Sequence, residues 1–486
     1  MSEVKKELPI VVVGSGAGGM PLAATLAEQG FQVVLVERGK VSQASEYPTN
    51  EYDYELREKP WMRNSKEWQG PVSLQRGIGL GGSTLYFQAL SHMPSASVMK
   101  KWGLPVKKIE KITHDVSNYL KIAGVAQPPH PLNLVSTHLY KSAQTLNWKI
   151  RPAPVAILSK EYQGRPACNY CGQCVYGCIP GDKSSVDKTW LQRAKASENL
   201  TILLNSTVER IVLGSATTAK SVYITSEQGG YEIEVSAVIV AAGALETPYL
   251  LKRSRQQYAE QGIGNHNVGR NMTGTLWQSL LVSLPEVEGA GHAGIPIDLL
   301  VEEFESDDFL LCQGRNTAGI VGPVSAARFA LQRYGHKGLR EWMRNHYTKL
   351  AGLGAYGESA VAYEDGLSYN DAKRYEKRLQ ESDQGMLGKM RAALQKWSEA
   401  ANATHHAVLD GGNSPFVGAM FRGTCRIGSD SENSAVDPNG FLYGYKNIVI
   451  SDASVLGRGL IADPSLPLQV LAVHFAEHLT EKLKMA

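Results

Sequence analysis

The sequence has little of what marks a nucleic-acid-binding or membrane-spanning protein. Its 486 residues carry a formal net charge of only +3 and contain no long run of Lys and Arg. Binding to nucleic acid or to an anionic membrane is therefore not indicated. No stretch of about 18 apolar residues occurs, so no membrane span is predicted. Residues 1–10 contain no apolar segment apart from the start of a predicted strand, and we expect no cleavable signal.

Cysteine is scarce: the chain has six, and four of them lie within residues 168–178. Such clustering does not suit the disulfide framework of a small secreted protein. The hydrophobic content of 43% is that of an ordinary globular protein, and the length is sufficient for a large two-domain enzyme. Together these features predict a cytoplasmic protein.

Residues 9–39 contain a strand, a glycine-rich turn, a helix and a second strand, in the order that holds a dinucleotide. The apolar residues 10–13 precede the motif Gly14-x-Gly16-x-x-Gly19, and a helix is predicted from there to about residue 29. The three glycines permit a tight turn, close approach of the backbone to a pyrophosphate, and close packing of the helix. The helix N-terminus attracts phosphate, and Glu37 can accept hydrogen bonds from a ribose. The pattern predicts a dinucleotide site.

Further nucleotide-binding signals lie far along the chain. A glycine-rich loop spans residues 75–94, a predicted strand ends in small residues at 241–244, and another strand at 445–451 is followed by Asp452. Because such signals occur at both ends and in the middle, one domain must be assembled from separate pieces. The intervening segments then form a second domain, and we expect a ligand site between the two.

Taken together, these segments resemble the glucose–methanol–choline (GMC) family of FAD-dependent oxidoreductases over nearly the whole chain. Besides the Gly14–Glu37 unit, the motifs that carry the resemblance are Gly81–Thr84, Ala241–Gly243, Glu246–Pro248, Asn267–Asn271, Gly423–Gly428, Val436–Gly440 and Asn447–Ser454. The resemblance implies an α/β fold in which a discontinuous, Rossmann-like FAD-binding domain comprises residues 1–100, 200–275 and 420–486. Residues 101–199 and 276–419 are expected to form a second, substrate or cap domain.

The resemblance also implies where FAD binds. The ADP portion is expected along residues 14–37, the 79–84 loop at the pyrophosphate and flavin, and Asp452 near the ribityl chain. The implied cofactor-binding residues are Gly14, Gly16, Gly19, Glu37, Arg38, Gly81, Gly82, Ser83, Val208, Ala242, Gly243, Asp452 and Ala453. Some family members attach the flavin covalently to a His just after the glycine loop. Leu85 stands at that position, so non-covalent FAD is predicted.

The catalytic segment departs from the family pattern. Met420 stands where the family has its usual catalytic His, and a thioether cannot take a proton at neutral pH. The family's second polar position, before a Pro in the C-terminal loop, is Asp463, which is the candidate base. The alternatives to Asp463 are three histidines: His405, His406 and His474. Arg422 is a candidate to hold a substrate carboxylate bidentately, and an ion pair at the surface or at a domain interface is its alternative role.

Four cysteines, Cys168, Cys171, Cys174 and Cys178, are spaced similarly to the ligands of a ferredoxin cluster. Thiolates at such short intervals can surround a soft metal centre. Zinc, a redox disulfide and metal-free thiols are the alternatives. The segment resembles the one that carries a [3Fe–4S] centre in the large subunits of sugar and gluconate dehydrogenases of this family. A [3Fe–4S] or [4Fe–4S] cluster is therefore predicted.

With FAD and a one-electron centre, the chain is predicted to be a dehydrogenase that oxidises a small-molecule CH–OH or related donor. Electrons would pass through the iron–sulfur centre to an acceptor protein or a quinone, and the chain could associate with another subunit. The alternative is a catalytically silent flavoprotein that binds a ligand or partner, or relays electrons, because its usual base is lost at Met420.

Overall fold

The computed structural model describes residues 8–48, 53, 62–64, 69–70, 74–287, 294–314, 322–368, 373–409, 416–417 and 420–485. Residues 418 and 419, at the predicted boundary between the segments 276–419 and 420–486, lie outside this set. The described helices are α1 (Gly19–Glu28), α2 (Ala96–Lys101), α3 (Val106–Leu120), α4 (Leu134–Thr145), α5 (Trp190–Lys195), α6 (Glu246–Arg253), α7 (Pro323–His346), α8 (Glu381–Ala400) and α9 (Ser465–Met485).

The strands form several sheets. Those in the first half are β1 (Ile10–Val13), β2 (Val33–Val36), β3 (Met62–Asn64), β4 (Gln75–Gly77), β5 (Ile150–Pro152), β6 (Leu200–Leu203), β7 (Thr207–Ser215), β8 (Thr218–Ser226), β9 (Gly229–Glu234) and β10 (Ala237–Val240). Those in the second half are β11 (Thr275–Ser283), β12 (Leu299–Val301), β13 (Phe309–Gln313), β14 (Leu350–Glu358), β15 (Gly366–Ser368), β16 (Arg374–Glu376), β17 (Thr404–Leu409) and β18 (Ile448–Ile450).

A five-stranded parallel sheet of order β18-β10-β1-β2-β6 brings both ends of the chain together. Ile10 pairs with Ala237 on one side and with Val33 on the other, and Val238 pairs with Ile448. Every residue of β1, β10 and β18 is buried, as expected for parallel strands covered on both faces. Helix α1 packs against α9 and α5 over this sheet. The predicted α/β fold with a Rossmann-like sheet is therefore observed.

A six-stranded antiparallel sheet of order β17-β11-β14-β13-β12-β5 forms the second layer of the fold. Its alternating side chains separate into two cores. Leu299, Phe309 and Leu311 join a core with α8, whereas Leu310 and Tyr356 join the core of the parallel sheet. One face of this sheet is thus turned toward the nucleotide-binding fold. Two described strand pairs, β3–β4 and β15–β16, and the three-stranded β7-β8-β9 sheet complete the strand pairing.

The last helix, α9, lies inside the fold along most of its length, and 13 of its 21 residues are buried. Within the described residues, no helix combines the length and apolarity needed to cross a bilayer. His474 on α9 has no exposed surface, and its Nε2 lies 3.2 Å from the carbonyl oxygen of Pro438, which accepts its hydrogen. Burial, reinforced by His478 and Lys108, lowers the pKa of His474 from 6.5 to about 4.

The buried His474 should make folding stability sensitive to acid. Its folded pKa of about 4 lies below the unfolded value of 6.5, so its contribution is complete above 6.5 and is lost as the pH falls toward 4. The maximum loss from one such group is about 1.4 kcal/mol per pH unit. Between about pH 7 and about pH 5, His474→Gln should lose less free energy of unfolding than the unmodified protein, as measured by denaturant titration. The exposed His114→Gln is the control; equal losses in all three proteins would contradict the assignment.

Candidate functional site

A large cavity opens at the carboxyl ends of the parallel strands and contains about 1470 Å³ of space, including its open mouth. Open α/β sheets bind ligands at this edge. Of the thirteen residues predicted to bind the cofactor, Gly14, Gly16, Glu37, Arg38, Gly82, Ser83, Val208, Ala242, Gly243, Asp452 and Ala453 line it. Gly19 and Gly81 lie in the turns behind the lining. The cavity therefore collects most of the residues that sequence analysis singled out.

The three glycines of the first turn do different work. Gly14 has a φ of +100°, and a side chain on it would overlap the carbonyl oxygen of Ala241. A side chain on Gly19 would overlap the carbonyl oxygen of Gly14. At Gly16, by contrast, an added Cβ would meet nothing within 4 Å. The fold itself requires Gly14 and Gly19, whereas the absent side chain of Gly16 leaves space open to the cavity.

Glu37 is buried and holds three loops together. Its Oε2 accepts hydrogen bonds from the backbone N of Ser15 at 3.2 Å and from Ser15 Oγ at 2.6 Å. Its Oε1 accepts from the backbone N of Gly39 at 2.9 Å and of Gly79 at 3.3 Å. Both carboxylate oxygens thus position the walls of the cavity. The predicted contact of Glu37 with a ribose stays a prediction.

Asp452, which follows β18, also holds neighbouring loops together through its carboxylate oxygens. Its Oδ2 accepts from the backbone N of Gly243 at 2.9 Å and from the Thr247 hydroxyl, while its Oδ1 accepts from the backbone N of Ser454 at 2.8 Å. Burial raises the pKa of Asp452, and these hydrogen bonds oppose the rise. Thr247 was not predicted to contact the site, although it belongs to the Glu246–Pro248 motif that carries the family resemblance.

Charged residues cluster at one side of the cavity. Glu246 forms ion pairs with Arg38 at 3.5 Å, with Lys373 at 3.4 Å and with Arg76. Burial alone would raise the pKa of Glu246, but the three cations outweigh it and hold the value at about 2. Glu246 is therefore ionised, and it lines the cavity together with Arg38 and Arg76.

Asp463 lies beside the cavity rather than in its lining. Its neighbours Pro464 and Ser465 line the cavity, and its Oδ1 accepts a hydrogen bond from the backbone N of Ser465 at 2.8 Å. Burial raises the pKa of Asp463, and Ser465 and Lys183 oppose the rise. The negative charge of Asp463 also contributes, after burial and Cys312, to the raised pKa of Tyr356.

Tyr356 and Gln88 were not predicted from the sequence. The Tyr356 hydroxyl donates a hydrogen bond to Gln88 Oε1 at 2.6 Å, and its ring lies 4.6 Å from that of Trp277. Tyr356 is on β14 and Trp277 is its register partner on β11. No local motif marks the pair, because Gln88 and Tyr356 are 268 positions apart and only the packing of the antiparallel sheet brings them together.

Arg422 is buried, with 1% of its surface exposed, and is not part of the cavity lining. Its guanidinium pairs with Glu358 at 3.2 Å and donates to Thr275 Oγ1 at 2.8 Å and to the carbonyl oxygen of Leu460. Glu358 in turn accepts from the backbone N of Gly459. Arg422 thus pairs with Glu358 of β14 inside the protein, and this pair fixes the loop that leads to Asp463.

The histidine alternatives lie away from the cavity lining. His474 is buried in α9, and His405 and His406 are on β17, where they bond to Ser398 and Ser283. Their hydrogen bonds are made with structural partners on neighbouring elements. Among the candidate bases, Asp463 is therefore the one whose neighbours border the cavity.

The cysteine segment does not assemble a metal site in the described part of the chain, where no three His, Cys, Asp or Glu side chains form a metal-binding group. The Cys178 thiol donates to Asp182 Oδ1 at 2.6 Å. Burial raises the pKa of Cys174 to about 12 and that of Cys178 to about 11, so both favour the neutral thiol. Spacing and the family resemblance predicted a cluster; in the structure the Cys178 thiol is instead hydrogen-bonded to Asp182, and a cluster is not shown.

The buried side chain of Lys183 contacts the cysteine segment. Lys183 Nζ donates to the carbonyl oxygens of Leu85 at 2.8 Å, Phe87 at 3.3 Å and Cys174 at 2.6 Å. Burial lowers the pKa of Lys183, whereas nearby Cys174 and other acidic groups oppose the change. The lysine thereby connects the cysteine segment to the end of the Gly81–Leu85 loop.

Comparison with known proteins agrees with this geometry. The chain belongs to the GMC oxidoreductase family: the N-terminal family profile matches residues 15–275 and the C-terminal profile matches residues 371–472. Members of this family generally bind FAD.

Similar proteins span nearly the whole chain. An uncharacterized GMC-type oxidoreductase of Mycobacterium tuberculosis is 27% identical over 97% of this chain and 76% of its own length. A long-chain-alcohol oxidase of Arabidopsis thaliana is 25% identical, covering 99% of this chain and 67% of its own. The crystal structure of pyridoxine 4-oxidase from Mesorbium loti has the same fold, with a TM-score of 0.69 at 18% identity, over 98% of this chain and 99% of that one.

The different surroundings of Gly16 and Gly19 predict two distinct defects. Gly16→Val should retain little flavin, because the side chain enters the space left for the ligand, while its flavin-free form should melt at the same temperature as the flavin-free unmodified protein. Gly19→Val should instead lower the melting temperature, because its side chain overlaps the backbone of Gly14. Flavin is measured in the supernatant after acid precipitation, which also tests non-covalent binding. Normal flavin content in Gly16→Val, or colour retained in the pellet of the unmodified protein, would contradict these expectations.

Proposed function

We propose that this chain is an FAD-dependent dehydrogenase that oxidises the CH–OH group, or a related donor, of a small molecule. The observation that carries the proposal is the cavity at the glycine turn, whose lining includes most of the predicted FAD-binding residues. Membership in the GMC oxidoreductase family supports oxidoreductase chemistry. The printed name of one relative, a long-chain-alcohol oxidase, supports an alcohol as the donor.

The residues of the cavity fit FAD. Gly16 and the N-terminus of α1 suit the pyrophosphate, and Arg38 and Arg76 provide positive charge at the mouth. Bound there, FAD supplies a two-electron acceptor for hydride. Leu85, at the position of covalent attachment in some relatives, is a buried aliphatic residue and cannot form that bond. The cofactor is therefore held non-covalently.

Asp463 is the base in this proposal. It removes the proton of the donor hydroxyl, and its negative charge acts on Tyr356, which donates a hydrogen bond to Gln88. The raised pKa of Asp463 makes it a stronger base than an ordinary aspartate. The Arg422–Glu358 pair does not touch the donor; it holds residues 459 and 460 in place, and these precede Asp463 in the same loop.

Removing the carboxylate should separate chemistry from cofactor binding. Asp463→Asn should slow substrate-dependent flavin reduction by about 100-fold or more, with flavin content unchanged. In the unmodified protein the rate should rise with pH as Asp463 loses its proton, at a pH above that of an ordinary aspartate. Stopped-flow absorbance of the flavin measures both. The exposed Asp115→Asn is the matched control, and equal rates in the two variants would eliminate Asp463 as the base.

A catalytically silent flavoprotein is the second candidate, because half-buried Met420 occupies the position of the family's catalytic His. The two candidates differ in one measurement. A dehydrogenase bleaches its flavin when a panel of primary and secondary alcohols is added anaerobically, whereas a silent protein retains an oxidised flavin. In a silent protein, Met420→His should create alcohol oxidation only if the other residues of the site already hold the alcohol next to the flavin.

The electron acceptor is proposed to be a protein or a quinone that takes electrons from the flavin. The chain is proposed to be cytoplasmic and could associate with another subunit. The four cysteines do not fit a cluster in the described conformation, and no step of the proposed reaction runs through them. Binding a cluster would require the Cys178 thiol to lose its proton and its bond to Asp182.

The geometry of the cysteine segment predicts a protein without a stoichiometric cluster. Anaerobically purified protein should contain substoichiometric iron and labile sulfide. Cys178→Ser should leave the flavin content unchanged and the metal content equally low, because serine can keep the hydrogen bond to Asp182. Iron and sulfide in stoichiometric amounts, lost in Cys178→Ser, would overturn this expectation and support the cluster predicted from the spacing.

A further inference from the structure

Helix α7 is folded back on itself at its middle. Gly335 has non-helical angles, φ 67° and ψ −178°, between two helical arms. In a continuous helix, Phe329 and Trp342 would be about 20 Å apart along the axis. Their ring centroids are 5.4 Å apart, and Tyr334 lies 6.1 Å from Trp342. The arms therefore close on an aromatic cluster and form a helical hairpin, with Gly335 at its tip.

The base of the hairpin is anchored and its tip is exposed. Trp342 is buried and packs with Leu281, Ala326 and Leu350, so the antiparallel sheet holds the base. Every residue from 331 to 337 is exposed. Two of them are large apolar or aromatic residues, Leu331 at 37% and Tyr334 at 40% exposure. The tip therefore presents two large side chains, three positions apart, to solvent.

The hairpin also concentrates positive charge. Residues 323–349 contain six cations and one acid, Glu341, for a net charge of +5, whereas the whole chain carries +3. The rest of the chain is therefore slightly acidic. The six cations are Arg328, Arg333, Lys337, Arg340, Arg344 and Lys349. The small total charge conceals a strongly basic segment, which is why composition alone did not indicate binding to an anionic surface.

We propose that the tip of this hairpin docks on an anionic phospholipid membrane. Leu331 and Tyr334 enter the interface, where aromatic and aliphatic residues are favoured. Arg333, Lys337 and Arg340 pair with lipid phosphates; all three are exposed, and no ion pair is recorded for them among the described residues. Apolar residues at the tip favour a lipid surface over nucleic acid, whose phosphate backbone offers them no apolar partner. The membrane is bound at its surface, not crossed.

This proposal is independent of the reaction at the cavity, because the hairpin contributes no residue to the cavity lining. It assigns the protein a location, the surface of a membrane. A protein held at a membrane surface has access to substrates and electron acceptors that partition into lipid.

Co-sedimentation of the full-length, flavin-loaded protein with vesicles tests the proposal. The protein should bind vesicles of mixed phosphatidylglycerol and phosphatidylcholine, and binding should weaken as salt is added. Arg333→Glu/Lys337→Glu/Arg340→Glu should lower the partition coefficient by about 100-fold or more. Leu331→Ser/Tyr334→Ser should weaken binding even at low salt, because it removes only the apolar contribution.

The control is a triple variant with the same change in charge, Lys101→Glu/Lys107→Glu/Lys111→Glu, at exposed positions on and beside α2 and α3. It should bind nearly as well as the unmodified protein. Flavin content and melting temperature should be equal in all variants, since the changed residues are exposed. Failure to bind anionic vesicles, an equal loss in the control, or a tip-dependent dimer in light scattering without vesicle binding would each overturn the proposal.

Discussion

The close contact between the first glycine turn and its neighbouring strands is the constraint on which the cavity depends. A side chain on Gly14 would overlap Ala241, and one on Gly18 would overlap the carbonyl oxygen of Ser451. The turn is therefore locked between the ends of β10 and β18 by direct backbone contact. The same contact aims the N-terminus of α1 at the cavity, where its partial positive charge can act on a phosphate. Without this contact, the loops that hydrogen-bond to Glu37 and Asp452 would not lie beside those carboxylates.

Sequence analysis was successful where the relevant chemistry is local. The strand–turn–helix unit at residues 9–39 was predicted correctly, because hydrophobic periodicity and glycine spacing determine it within a short stretch. The parallel pairing of β1 with β2 is part of that unit, whereas the pairing of β1 with β10 was not predicted. Family resemblance extended this to the strand ends at Gly243 and Asp452, which do line the cavity.

The remainder depends on contacts between distant residues that no short motif encodes. Arg422 pairs with Glu358, 64 positions away, and only the packing of the antiparallel sheet against the C-terminal loop brings them together. Tyr356 meets Gln88, 268 positions away, for the same reason. The cluster predicted from the cysteines is not shown: spacing describes how far apart four residues are along the chain, whereas ligation depends on where their side chains point. Cys178 is directed to Asp182 by a hydrogen bond that the spacing does not reveal.

The order of strands in the parallel sheet has a consequence for the assembly of the protein. Strand β18, at residues 448–450, pairs with β10, and Asp452 follows it directly. A ribosome must therefore complete most of the chain before the cavity acquires its last wall. Until β18 has been synthesised, one edge of β10 has no strand beside it. All residues of β10 are apolar. Loading of the cofactor is consequently a late event in biogenesis, because the wall that carries Asp452 is synthesised near the end of the chain.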